Sequence, residues 1–241
     1  MSVQTMTQRR ILMDAIERPK SLTEIVLTKL RDQIVHGDLV LGAALSERRI
    51  AEELSVSKTP VREALAQLKN EGLVHIFPQS GAHVLTFSAA EIVDMCDYRL
   101  IMETAGLKLA MAQNQETLKN DLSEIVRSMR KAHKNSAIRE YLEMDSAFHY
   151  AFFANCGNKH LHDSYNLFSG KIAALRTHLA TKPGHTKLSL DEHLLMLEIV
   201  KSGDAKKGES VLVEHIGRTR DAYSLEVSDV AAADQKNETA A

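Results

Sequence analysis

Two groups of residues in this chain have the types and spacing to do chemistry. Asp145 and His149 lie four positions apart, so on one helix their side chains project from the same side, one turn apart, and two ligands are preset. His193 and His215 fall on later segments, the first among Leu190, Leu194 and Leu197, the second beside Leu212 and Ile216. An imidazole on such an apolar face must find partners, because an unsatisfied ring nitrogen in the interior costs roughly 1–3 kcal/mol. The chain has eleven histidines, so any one of them taken singly reads as an ordinary hydrogen-bonded residue before it reads as a ligand. The second group, Ser57, Lys58, Thr59 and Arg62, gathers polar and cationic side chains at the start of a short helical segment.

The elements that must position this second group are legible around it. LSERRIAEEL at 45–54 and VSKTPVREAL at 56–65 spell two short helices joined by a turn at 55–57. Ser46 is placed to cap the first, with Glu47 in the first turn where the helix dipole favours a carboxylate. Leu45, Ile50, Ala51 and Leu54 supply its inward face. Ser57 or Thr59 caps the second, and Pro60 is tolerated in a first turn whose N–H groups lack intrahelical partners. Val61, Ala64, Leu65 and Leu68 recur at helical spacing and face the core. That rotation turns Ser57, Lys58, Thr59 and Arg62 outward at the end that reaches base edges in helix-turn-helix docking, with Arg62 the residue expected to read a base. LVHIF and AHVLTF flank PQSG at 78–81 and predict a hairpin wing. An amphipathic segment over 21–36, ended by Gly37, completes the core of a small winged domain.

The run from Leu30 to Val84, containing GDLVLGAALSERRIAEELSVSKTPVREALAQLKNEGLVHIFPQSGAHV, resembles the DNA-binding domain of GntR-type bacterial transcription regulators. The resemblance implies DNA contacts from Arg48, Lys58 and Arg62, with Ser57 and Thr59 nearby and Gly81 at the tip of a wing that enters the minor groove; Arg49 joins them as part of the local basic patch. Lys58 stands where arginine is common in that family, and Leu41 replaces a usual proline. A lysine lacks the planar fork that grips guanine at two points, which changes the base preference expected there.

Composition bounds the remainder. The 241 residues suffice for two ordinary domains, and 44% hydrophobic content suffices for real cores. No apolar run approaches the roughly 20 residues of a membrane helix, and the start of the chain lacks the apolar stretch of a signal peptide, so the cytoplasm is expected and a membrane partner is not. Cys96 and Cys156 are far apart in sequence and read as buried free thiols. A formal net charge of −2 argues against indiscriminate coating of nucleic acid. DNA binding must come from a local basic patch, with Arg9, Arg10, Arg18 and Lys20 as a further arm, and two copies on a palindrome would supply the specificity one copy lacks.

From Ser88 onward the pattern is helical. Ser88 and Glu91 form a capping box, and six helices are predicted over 88–112, 115–132, 137–155, 159–180, 187–201 and 205–226, with a loop at 181–186. The expected architecture is mainly α: an arm over 1–20, a winged helix-turn-helix domain over 21–87, an all-helical bundle over 88–227 and a flexible tail over 228–241.

NSAIREYLEMDSAFHYAFFANCGNKHL, followed by DEHLLMLEIVKSGD and VEHI, is similar to the all-helical ligand-binding domain, called FCD, that accompanies GntR regulators of the FadR subfamily; the shorter six-helix form resembles the VanR group. In metal-binding members one aspartate and three histidines hold a divalent ion, and these correspond to Asp145, His149, His193 and His215. Three imidazoles and a carboxylate suit Zn²⁺, with Ni²⁺, Mn²⁺, Co²⁺ or Fe²⁺ as alternatives. Family effectors are often small carboxylic acids that complete the metal shell. Arg99, with Glu103 one turn on, and Arg176 match family arginines that could grip such an acid; Tyr98, Asn158 and Tyr165 are candidates to lie nearby. The expectation is a homodimeric, acid-responsive DNA-binding regulator, most readily a repressor. Two other classes stand beside it: a constitutive DNA binder with a structural metal, and a metal-dependent hydrolase using Glu192 or Glu214 as base. On a helix, however, residues adjacent to ligand histidines diverge from them by roughly 100°, and the HExxH spacing that solves this geometry is absent.

Overall fold

The computed structural model describes residues 19–180, 182 and 184–238, those after 222 by backbone alone. Of the proposed N-terminal arm, Arg9, Arg10 and Arg18 lie outside the described residues, and Lys20 is exposed.

The winged domain begins with α1 (Leu22–Val35), whose N-cap Ser21 forms a capping box with Glu24. Helix α2 (Glu47–Glu53) is capped by Ser46, which accepts from the Arg49 amide, and α3 (Lys58–Asn70) starts at Ser57. Strands β2 (Val74–Phe77) and β3 (Gly81–Val84) form the wing, paired antiparallel from Val74 opposite Val84 to Phe77 opposite Gly81. A short β1 (Ala44–Leu45) joins β3 on its other side, so the sheet order is β1-β3-β2. Two residues are too few to show an alternating pattern, which is why β1 is invisible in the sequence. The predicted inward residues Val61, Ala64, Leu65 and Leu68 are fully buried against Val26, Leu30 and Ile34 of α1 and Leu73, Val74 and Val84 of the wing.

The bundle opens with α4 (Ala89–Lys134), entered through the Ser88–Glu91 capping box. Asn114 breaks it with a non-helical backbone (φ −140, ψ 41), and its side-chain amide donates to the Asn155 carbonyl at 2.8 Å. Counting the two halves separately gives the six predicted helices. The others are α5 (Ile138–Ala154), α6 (Lys159–Ala180), α7 (His185–Ser202) and α8 (Ala205–Glu238). Helix α7 starts two residues earlier than its apolar pattern suggests. Helix α8 continues to Glu238, past the 226 at which the pattern fades and into the segment expected as a flexible tail, because a helix needs no apolar period to persist where alanine-rich sequence favours it. Cys96 and Cys156 are buried free thiols. Among the described residues no helix is long and apolar enough to cross a membrane.

Helix α6 belongs to both domains. Ala174 is part of the winged-domain core, and Thr177 donates to the Val35 carbonyl at the end of α1 at 2.6 Å. Arg139 of α5 adds an ion pair to Asp38 at 3.2 Å, and the Glu143 carboxylate lies 3.4 Å from the His36 ring.

Candidate functional site

The outer face of the helix pair carries the predicted DNA-contacting residues. Arg48, Arg49, Ser57, Lys58, Thr59, Arg62 and Gly81 are all exposed. Ser57 caps α3 by position without a side-chain cap bond. The arginines are tied to acids on the same surface: Arg48 to Glu52 at 3.0 Å, Arg49 to Glu53 at 2.7 Å, and Arg62 across the turn to Glu47 at 2.9 Å. The hydrogen bond and charge of Glu47 raise the Arg62 pKa, so this guanidinium stays charged throughout. Gly81 has φ +83, and a Cβ there would meet nothing within 4 Å, so backbone conformation rather than space calls for glycine at the wing tip.

The bundle interior holds a denser array. His149, His193 and His215 come from α5, α7 and α8, and one nitrogen from each lies within 4.8 Å of the others. The Nε2 atoms of His149 and His193 are 3.3 Å apart. Each of two rings is held from behind by a carboxylate: Glu103 Oε2 meets His149 Nδ1 at 2.6 Å, and Glu192 Oε2 meets His215 Nδ1 at 2.5 Å. A carboxylate on Nδ1 fixes the ring and leaves Nε2 as the lone-pair donor, the arrangement that orients metal-binding histidines. Burial lowers the His149 pKa to about 4, against the pull of Glu103, so the ring is neutral at pH 7. Burial likewise holds His193 well below the usual histidine range, against the pull of Asp145. Neutral imidazoles with inward nitrogens fit a divalent cation.

Asp145 stands at the edge of this cluster. Its Oδ1 is 3.8 Å from His193 Nδ1 and accepts from Ser189 at 3.4 Å, while Oδ2 faces Arg176 Nε at 3.2 Å. Burial opposes its charge, and Arg176 together with the histidines keeps its pKa below the usual carboxylate range. The group of close-lying nitrogens comprises the three histidines, and Asp145 stands beside it with its oxygens turned to His193 Nδ1 and the Arg176 guanidinium.

Arg99 is fully buried on α4 and donates from Nε to Glu103 Oε1 at 2.8 Å. Its Nη1 and Nη2 find no hydrogen-bond partner among the described residues; the same is true of the Tyr165 hydroxyl and of Arg176 Nε and Nη1. Burial works against the Arg99 charge and Glu103 outweighs it, so the guanidinium remains protonated. Tyr165 is buried between the fields of both arginines. Two other candidates are elsewhere: Tyr98 donates to the Ser164 carbonyl at 2.8 Å, and Asn158 caps α6 by accepting from His160 and Leu161. Tyr98 thus ties α4 to α6, and Asn158 is spent on a helix start.

Two groups take roles that the sequence does not show. Glu103, legible only as a neighbour of Arg99, links Arg99 to His149. Glu192, a candidate base by its place beside His193, lies behind the His215 ring, shared with Arg218 Nη2 at 2.5 Å. The spacing of Arg99 and Glu103, one turn apart on an otherwise apolar face, was the signal for the first. Nothing in the sequence brings Glu192 of α7 to α8. Glu214 is exposed.

Residues 22–84 match the family described as bacterial regulatory proteins, gntR family, and residues 94–218 match the FCD domain. The gluconate operon transcriptional repressor of Bacillus licheniformis is 30% identical over 184 residues, 74% of this chain and 75% of that protein. The HTH-type transcriptional repressor RspR of Escherichia coli (strain K12) is 25% identical over 78% of this chain and 82% of its own length. Among solved structures, a GntR regulator from Rhodococcus sp. RHA1 aligns with a TM-score of 0.75 at 21% identity, covering 85% of this chain and 97% of that one. E. coli McbR/YncC aligns with a TM-score of 0.74, also at 21% identity, covering 86% and 100%. With both parts of the chain matched and a relative at 30% identity named as a transcriptional repressor, the chain belongs to the gntR family of bacterial regulatory proteins, with an FCD domain behind its winged helix-turn-helix.

Proposed function

We propose that this chain is a metabolite-responsive repressor that works as a cytoplasmic homodimer on a palindromic operator and releases it when a small carboxylic acid binds beside a divalent metal. The observation that carries this reading is the pair of unpartnered Arg99 nitrogens, fully buried and joined through Glu103 to the histidine cluster. A buried cation with donors to spare is completed by an anion, and a carboxylate matches the guanidinium fork. His149, His193 and His215 would hold the metal, with Zn²⁺ as first choice, and Asp145 would join them once Arg176 lets go. The ion supplies a Lewis-acid anchor for a carboxylate oxygen. Arg48, Arg49, Ser57, Lys58, Thr59, Arg62 and Gly81 would hold the DNA. The repressor sense is supported by relatives named as repressors.

For the acid to act as inducer, it must bind the DNA-incompetent arrangement more tightly than the competent one. The test is fluorescence-anisotropy binding to the DNA upstream of the protein's own gene, titrated with mono-, di- and aromatic carboxylic acids before and after chelation. Release by one acid, lost on chelation while the protein stays folded, supports the sensor. Unfolding on chelation without any acid effect assigns the metal a structural role and overturns it.

A further inference from the structure

Residues 72–90, which run through the wing, contain no lysine, arginine, aspartate or glutamate, in a chain that is 26% charged. The wing therefore cannot hold DNA through cations on phosphates, as the recognition face can. What its tip offers is apolar surface. Residues 76–81 are exposed without interruption, and the first three are Ile76, Phe77 and Pro78, with 41% of Ile76 and 50% of Phe77 open to solvent. Single exposed apolar residues are ordinary, but three in succession at the end of a projecting hairpin call for a partner. Ile76 and Phe77 are consecutive on β2, so their side chains emerge on opposite faces and give the tip two apolar sides. Phe77 pairs across the sheet with Gly81, which has no side chain to cover the ring. The ring instead lies edge-on to His83, with centroids 5.8 Å apart, and 6.0 Å from His75. His83 is itself fastened, its Nε2 donating to the Ser80 carbonyl at 3.1 Å across the turn. Beside these rings the exposed Gln79 and Ser80 present an amide and a hydroxyl.

We propose that the wing tip is a minor-groove wedge: Phe77 inserts its ring at a base step and opens it, while Gln79 and Ser80 donate to acceptors on the groove floor. The inference rests on the DNA-contact reading and adds to it a residue, a mode of contact and the kind of step selected. The minor groove presents adenine N3 and thymine O2, acceptors that an amide N–H or a hydroxyl meets. Phenylalanine, isoleucine and proline are side chains that partly unstack a step there and kink the duplex. Opening costs least at TpA steps, which deform readily, and most in stiff A-tracts. The wedge thus reads deformability at a place where the hydrogen-bond pattern scarcely separates A·T from T·A. It also explains why a DNA-facing hairpin carries no charge, since its contribution comes from shape and apolar contact.

The test is anisotropy binding of the full-length protein to two duplexes of equal length and A·T content, one built of alternating TpA steps and one of A-tracts, over a series of salt concentrations. The wild type is expected to favour the TpA duplex about three- to tenfold. Phe77→Ala is expected to lose that preference while the slope of log affinity against log salt stays unchanged, because no charge is removed. Phe77→Leu keeps an apolar wedge and should keep the preference, which separates insertion from the packing of the ring on His83. Lys58→Ala should instead weaken both duplexes alike and flatten the slope by about one for each copy bound. Equal wild-type affinity for the two duplexes, or a preference that survives Phe77→Ala, overturns the wedge. If Lys58→Ala still flattens the slope in that case, the recognition-face reading stands; if it is inert as well, that reading falls with the wedge. Loss of self-association in Phe77→Ala with the TpA preference intact assigns the tip to a contact between copies and likewise overturns the wedge.

Discussion

The protein contains the same ion pair in two settings. Arg62 and Glu47 meet at 2.9 Å on the recognition face, with 69% of the arginine side chain exposed; Arg99 and Glu103 meet at 2.8 Å with both side chains at 0%. Geometry alone does not distinguish them, but water does. An exposed pair is worth about 0–1 kcal/mol and is screened by salt, so its partners exchange freely. A buried pair has lost its hydration, and neither partner can leave without stranding the other. The first pair is a resting arrangement from which the Arg62 guanidinium is free to exchange partners. The second is a fixed scaffold with two guanidinium nitrogens left over.

The largest effect should therefore follow from breaking the buried pair. Glu103→Ala strands the Arg99 guanidinium and frees the back of His149, and is expected to destabilise the fold by about 3–5 kcal/mol. Urea denaturation measures it, and a loss below about 1 kcal/mol, the size of an exposed pair, would erase the distinction between the two settings.

On the exposed side, Arg62→Ala should leave stability within about 0.5 kcal/mol. It should still cost about 1–3 kcal/mol of specific DNA affinity, against little change on random DNA. Retained operator affinity would remove Arg62 from the reading surface. Glu192→Gln tests the buried side more gently, since it keeps shape but weakens the grip on His215 and Arg218. Metal affinity should fall about 10-fold to 100-fold, as expected for a lost carboxylate behind a ligand histidine; competition with a chromophoric chelator reads it, and unchanged affinity would place His215 outside the ligand set.

The two regions also differ in their response to acid. In the metal-free protein, burial keeps His149 neutral with a pKa of about 4, and burial with the Arg218 charge does the same for His185. The unfolded chain takes up these protons from about pH 6.5 downward, so between there and pH 4 it binds more protons than the native state. Stability is fully present above that window and falls as pH falls through it. The carboxylates of Glu103 and Asp145, held low in the fold against the cost of burial, extend the loss in the same direction below their ordinary range. Urea midpoints at pH 7.5, 6.0 and 5.0 should decline; a flat series would mean that the native histidines take up protons over the same range as those of the unfolded chain.

The same division explains what could be read without a structure. The winged domain is built from local signals: the Ser46 cap, Pro60 in a first turn, the 61, 64, 65, 68 spacing and the PQSG turn each sit within a few residues of what they control. The recognition surface follows because rotation about one helix axis fixes which side chains face out. In the bundle, helix existence was legible for the same reason, but the site depends on which helices meet. Asp145 and His149 share a helix and were visible as a pair, whereas the contacts of Glu192 with His215 and of Arg176 with Asp145 join helices whose packing no local period encodes. The engagement of Arg176 in particular is invisible in the sequence: its Nε faces the Asp145 carboxylate from another helix.

The smallest effect comes from the other half of the exposed pair. Glu47 holds Arg62 from across the turn and also places a negative charge on the face that must approach phosphates. Glu47→Gln removes that charge while keeping a hydrogen-bonding amide, so stability should move by no more than about 0.5 kcal/mol, as for other exposed pairs. Binding should move the other way. Arg62 no longer exchanges a carboxylate for DNA, and the surface loses a repulsive charge within a Debye length of the backbone, about 10 Å at 0.1 M salt. Affinity for random DNA should rise about two- to fivefold at low salt and return to the wild-type value as salt screens the charge. Anisotropy titrations at 50 and 300 mM salt suffice to see it. If affinity instead falls, Glu47 is positioning Arg62 for DNA rather than competing for it, and the exposed pair would resemble the buried one in being a scaffold.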